Sequence, residues 1–150
     1  MTPHTPASIS EPAVIRQVLS TPSTWAVVGL STDATRTAYA VARWMKDALG
    51  HRIIPVHPRA EMVWGEPGYR ALTEIPDGTV VTVVDCFVNS QRVGAVVDDA
   101  IANRARLQIE AVWLQLGVID QDAAQRAINA GMDVVMDTCP MIEWPAHAPR

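Results

Sequence analysis

The chain is short of several things, and each shortage closes a class of function. It has two cysteines, Cys86 and Cys139, far apart and outside any metal-type spacing. No His-x-x-x-His pair exists among His4, His51, His57 and His147, so neither a structural nor a catalytic metal is expected. Lysine is nearly absent: Lys46 is alone, and the remaining cationic side chains are scattered arginines. Nucleic-acid binding through a concentrated basic face is therefore not expected. No apolar run reaches the ~20 residues a membrane span needs. Residues 1–10 lack the basic-then-apolar order of a signal peptide. A cytoplasmic protein with reduced thiols is the expectation.

What is present is enough for one core. The sequence has 150 residues, 49% of them apolar, which fills a single domain without cross-links. We expect residues 1–22 to be a tail and a short helix, and 23–150 to be the folded unit. Ser10 is placed to cap a helix over Glu11–Ser20, with Pro12 in its first turn and Pro22 as its stop.

From residue 25 a rhythm sets in. Short apolar runs at 25–29, 52–56, 79–85, 111–114 and 132–136 read as buried strands. Apolar residues at helical spacing lie between them: Ala38, Val41, Ala42, Met45 and Leu49, then Val93, Val96, Val97, Ala100 and Ile101, then Ala123, Ala124, Ala127 and Ile128. Gly50 and Gly131 stand where helices end, and Ser90 and Asp120 where they begin. Residues 59–79 are rich in turn signals, with one or two helical turns around Tyr69–Thr73, and the proline-rich end after Glu143 reads as irregular. Strands alternating with helices predict a three-layer α/β, Rossmann-like, doubly wound parallel sheet of five strands, in the order 3-2-1-4-5.

In such sheets the strand ends carry the chemistry. The loop after strand one, Gly29-Leu30-Ser31-Thr32-Asp33-Ala34-Thr35-Arg36, offers small hydroxyls, free helix-start amides and a guanidinium suited to phosphate. It equally serves as a turn with Thr35 or Asp33 as cap. It is not the dinucleotide fingerprint, because Ser31 and Ala34 stand where glycines are required, and strand two ends in Val56-His57-Pro58-Arg59 rather than an acid. His57 is a ligand contact, a base or a local hydrogen-bonding residue. Phe87 is an adenine platform or core. Gln115 meets a ligand amide or ties two loops together, and Cys139 is reactive or inert.

Taken together, Trp25-Ala-Val-Val-Gly-Leu-Ser31, Arg36, Tyr39, Pro55-Val-His-Pro58, Val84-Asp-Cys-Phe87, Val112-Trp-Leu-Gln-Leu-Gly117 and Val134-Val-Met-Asp-Thr-Cys-Pro140 resemble the small CoA-binding domain family. That family is related to the N-terminal domain of the succinyl-CoA synthetase α subunit. The resemblance implies a Rossmann-like fold binding coenzyme A or an acyl-CoA. Gly29, Leu30, Ser31 and Thr32 with Arg36 and Tyr39 would hold the pyrophosphate region. Val56, His57 and Pro58 with Phe87 and Val88 would line the adenosine side, and Gln115, Gly117 and Cys139 the pantetheine end. His57, Val88 and Thr138 depart from the family pattern, the last two where positive charge is common. The implied role is binding without catalysis, as carrier, sensor or regulatory module, with a protein partner or homodimer as a further expectation. The competing readings are an NADP-dependent oxidoreductase using Arg36 and Arg59, and a protein-interaction module with a vestigial cleft.

Overall fold

The computed structural model describes residues 8–148; most of the expected N-terminal tail lies outside them. Helix α1 (Pro12–Ser20) leads into β1 (Thr24–Val28), α2 (Thr37–Leu49) and β2 (Arg52–Val56). A long connection with one 3-10 turn (Leu72–Glu74) precedes β3 (Val83–Cys86), α3 (Ser90–Leu107), β4 (Ala111–Leu114), α4 (Gln121–Asn129), β5 (Asp133–Val135) and α5 (Pro140–His147). All four strand pairings are parallel.

Burial on both faces explains the uninterrupted apolar strands. Ala26, Val84, Val112 and Val134 point to the side covered by α3 and α4. Trp25, Val27, Val83, Trp113 and Val135 point to the side covered by α1, α2 and α5. The period-two alternation thus divides one run of side chains between two cores.

The doubly wound parallel sheet is as expected, but the strand order is not. It is β2-β1-β3-β4-β5, rather than 3-2-1-4-5. The outer side of β2 is taken by its own following connection. Tyr69 N–H donates to the Pro55 carbonyl at 3.1 Å, His57 N–H donates to the Tyr69 carbonyl at 2.9 Å, and Arg52 pairs with Glu66 at 2.9 Å. With that edge occupied, β3 goes to the free side of β1. Pro55 agrees with this arrangement, because a strand proline without an N–H belongs at an edge.

Other local expectations are also corrected. Residues 79–82 lie beyond the ladder, which begins at Val83. Ser10 does not cap α1; its hydroxyl accepts from Met136 N at 3.0 Å, while Glu11 occupies the cap position. Asn89 rather than Ser90 caps α3, accepting from Arg92 N at 3.0 Å. Ser90 Oγ instead accepts from Ile119 N at 3.0 Å. Asp120 caps α4 as expected, through Ala123 N at 2.9 Å. After Glu143 the chain stays helical to His147 despite Pro145. Pro140 at the first position pre-sets the turn, and Trp144 packs edge-on against Trp44, with centroids 6.5 Å apart.

Candidate functional site

The strand order puts the reversal of winding between β1 and β3, where the loops after those strands diverge and leave a crevice. Gly29 shapes its floor. Its N–H donates to the Val56 carbonyl at 2.8 Å, and Phe87 N–H donates to the Val28 carbonyl at 2.8 Å. Its φ is +103°, and a Cβ here would lie 2.4 Å from the Phe87 carbonyl oxygen. Only glycine lets the two loops approach this closely.

Above that floor is a cleft of about 970 Å³. Of the residues singled out from sequence, Gly29, Ser31, Arg36, Val56, His57, Pro58, Phe87, Val88, Gln115 and Cys139 line it. Four others lie elsewhere. Leu30 is wholly buried in the core beneath the loop. Thr32 is exposed and donates to Glu61 at 3.0 Å. Tyr39 accepts from Trp64 Nε1 at 3.2 Å, the rings 5.0 Å apart. Gly117 turns the chain at φ +83°, its N–H donating to Asp137 at 2.7 Å. Trp64 and Trp144 both pack onto their own core.

The loop before α2 is tied by its own side chains. Ser31 Oγ accepts from Asp33 N at 3.2 Å, and Asp33 Oδ1 accepts from Thr35 N and Thr35 Oγ1 at 3.0 and 2.6 Å. Those Thr35 bonds, helped by Arg36, hold the Asp33 carboxyl below its ordinary range. Asp33 therefore organises the turn, but neither it nor Thr35 caps α2 as the alternative reading expected. The start of α2 itself has no side-chain cap and no acidic residue in its first turn. The first turn of α3 has no acid either, and carries Arg92, which lines the cleft.

Four arginines line the cleft, Arg36, Arg59, Arg70 and Arg92. Two are committed: Arg59 to Glu61 at 3.1 Å and Arg70 to Glu74 at 3.2 Å. Arg36 has only a long contact with Asp33, 3.7 Å. The Arg92 guanidinium makes no hydrogen bond or ion pair with any described residue. Sequence reasoning missed Arg70 and Arg92. A signal existed for Arg92, since a cation in a helix's first turn opposes the dipole and suggests an anion to compensate it.

The remaining ambiguities resolve by contact. His57 Nδ1 accepts from Arg59 N at 3.1 Å, which places its proton on Nε2. Burial, then Arg59, pushes its pKa down, so the ring is a neutral donor at the cleft. Phe87 is half-buried, packed on the core and lining the cleft at once. Gln115 ties to a strand rather than a loop: its Nε2 donates to Asp85 Oδ1 at 2.5 Å. Cys139 is half-buried at the cap of α5.

Residues 23–145 match the family model described as CoA binding domain. The chain belongs to the CoA-binding domain family. It is 33% identical over 136 residues to the uncharacterized protein YneT of Bacillus subtilis, covering 91% of this chain and 93% of that one. A hypothetical protein from Pyrococcus horikoshii OT3 superposes with a TM-score of 0.81 at 28% identity, covering 99% of this chain and 100% of that one. A dinucleotide-forming acetyl-coenzyme A synthetase from Ca. Korarchaeum cryptofilum shares the fold, with TM-score 0.64 and 21% identity. That match covers 81% of this chain and 27% of the synthetase. Across the family-matched span, no described helix is long and apolar enough to cross a membrane.

Proposed function

We propose that the cleft binds coenzyme A or an acyl-CoA without transforming it, the chain acting as a carrier, sensor or regulatory module. One observation carries the reading. The uncapped start of α2 and the first turn of α3 line one cleft together with Arg36, whose guanidinium has only a 3.7 Å contact with Asp33, and Arg92, whose guanidinium pairs with no described residue. Helix-start amides and guanidiniums are the natural partners of a diphosphate.

Part of the cleft lining has a different character. Leu116 and Ile142 line it and are 62% and 67% exposed, next to Gln115 and Cys139. A ligand with anionic, amide-bearing and apolar parts fits this mixed lining. Acyl-CoA is such a molecule. Binding without chemistry is favoured because the histidine's Nδ1 is engaged and Asp85 stands behind Gln115 rather than in the cleft. The NADP alternative is weakened by the commitment of Arg59 to Glu61.

The test is a thermal-shift titration with CoA, acetyl-CoA, octanoyl-CoA, NADPH and ATP. A ligand of the native state raises the melting temperature by mass action. CoA compounds should raise it, and Arg36→Ala or Arg92→Ala should shrink the rise. A shift with NADPH alone moves the assignment to a dinucleotide. No shift with any compound leaves the interaction-module reading.

A further inference from the structure

Asp85 is the one buried acid the binding reading does not use. It is fully buried between Val27 and Trp113 of the neighbouring strands, on the face covered by α1, α2 and α5. One carboxylate oxygen, Oδ1, accepts from Gln115 Nε2 at 2.5 Å; the other, Oδ2, has no partner. A half-satisfied buried carboxylate without a cation is costly. An apolar residue of similar volume would pack the same place more cheaply. Its sole side-chain partner lines the cleft.

The geometry at Gln115 is directional. Its amide nitrogen is turned back into the protein, and its Oε1 takes no hydrogen bond from any described residue. We propose that Asp85 is a positioning residue that holds the Gln115 amide with Oε1 toward the cleft, so that this wall accepts a hydrogen bond from a ligand N–H. The inference rests on the CoA reading and deepens it, since the pantetheine arm supplies amide N–H groups. An ionised Asp85 accepts from the Gln115 NH₂. An Asp85 protonated on the oxygen that faces Gln115 would donate to Oε1 instead, and the amide would turn its NH₂ to the cleft. The Asp85 proton and the character of the cleft wall therefore change together.

The surroundings allow that coupling. On its own strand Asp85 adjoins the Cys86 thiol. Across the α2 side stand Arg36 and Asp33, which contact each other, and Tyr39, which bonds Trp64. From the α5 side come Cys139, Asp137, which accepts from Gly117 N, and Glu143, which pairs with His147. From the side of α1 and β2 come Glu11, Arg16, His51 and His57. None of these side chains makes a hydrogen bond or ion pair with Asp85. Burial pushes its pKa up to about 8, against lesser opposition from Gln115 and the Cys86 backbone.

The experiment is isothermal titration of the full chain with a CoA analogue whose thiol is replaced by hydrogen, from pH 7 to 9. It compares wild type, Asp85→Asn and Gln115→Leu. If only the ionised form offers Oε1, wild-type affinity should rise about tenfold over this range, following the competent fraction, and then level. Both variants should lose that rise, and Gln115→Leu should also bind more weakly at pH 9. An identical pH profile in wild type and Asp85→Asn overturns the proposal, as does wild-type affinity that falls with pH. Absence of binding at any pH overturns the CoA reading itself. In that case the side-chain NH₂ signals of Gln115 in the free protein still decide the positioning. They must titrate in wild type and stay fixed in Asp85→Asn; otherwise that half fails as well.

Discussion

Single residues hold this fold's sharpest constraints. Gly29 combines a left-handed backbone with a 2.4 Å approach of its missing Cβ to the Phe87 carbonyl. Gly29→Ala should destabilise the protein by about 1–3 kcal/mol in urea unfolding, with ligand affinity lost as the two loops separate. Two buried titratable groups give stability opposite slopes with pH. Asp85 has a folded pKa of about 8, above that of an unfolded carboxylate. Its contribution is complete below the unfolded value and is lost as pH rises through the folded one. Asp85→Asn should remove that slope, so its advantage over wild type grows toward pH 9, by at most about 1.4 kcal/mol per pH unit. His51 behaves in the other sense. Its Nδ1 accepts from Ser23 N at 3.1 Å, its Nε2 lies 3.2 Å from the Leu19 carbonyl, and burial lowers its pKa. The stability it adds is present above the unfolded imidazole value and lost as pH falls below it toward the folded one. His51→Gln should flatten the acid side of the profile, read by unfolding at several pH values between 5 and 8.

Helix starts are where element and function meet. The first turn of α3 is capped by Asn89 yet carries Arg92, a cation against the positive end of the dipole. Arg92→Ala should therefore stabilise the free protein by about 0.3–1 kcal/mol while weakening CoA binding roughly 10- to 150-fold, since charge-assisted hydrogen bonds to an anion contribute roughly 1.5–3 kcal/mol. Melting temperatures with and without ligand read both signs in one experiment. Asn89→Ala should cost about 1 kcal/mol, and Ser90→Ala should loosen only the turn at Ile119. The element boundaries that sequence placed well, α2 and α4, carry unambiguous signals: helical periodicity closed by Gly50, and Asp120 as cap. Those it misplaced involved two adjacent polar candidates, Asn89 and Ser90, or prolines whose effect depends on tertiary contacts, as at Pro145.

For the whole molecule, the layers were legible because a buried parallel sheet writes itself as apolar runs separated by helical periodicity. The strand order was less so, since local patterns do not say on which side of β1 the third strand lands. Pro55 carried part of the answer, an edge position for β2, and the Tyr69 bridge to β2 supplies the rest. The strand-end loops of the cleft were equally readable, because the fold dictates where ligands lie. Arg70 and Asp85 were not, one being placed by the long connection and the other hidden behind Gln115. A cleft lined by exposed apolar side chains as well as cations should discriminate by chain length: octanoyl-CoA should raise the melting temperature more than acetyl-CoA. Leu116→Ser with Ile142→Ser should abolish the difference and leave the response to free CoA intact.

The two thiols sit in opposite circumstances. Cys86 is sealed in the sheet, its pKa driven up by burial and by Asp85, whereas Cys139 is half-open at the cleft. Their alkylation by iodoacetamide should therefore run on two separate clocks. Cys139 records occupancy of the cleft, slowing when ligand covers it. Cys86 waits for the sheet to come apart, and its rate under brief pulses measures the population of opened molecules. A single mass spectrum of the modified chain then reports binding and unfolding side by side, with no label beyond the two thiols the sequence already has.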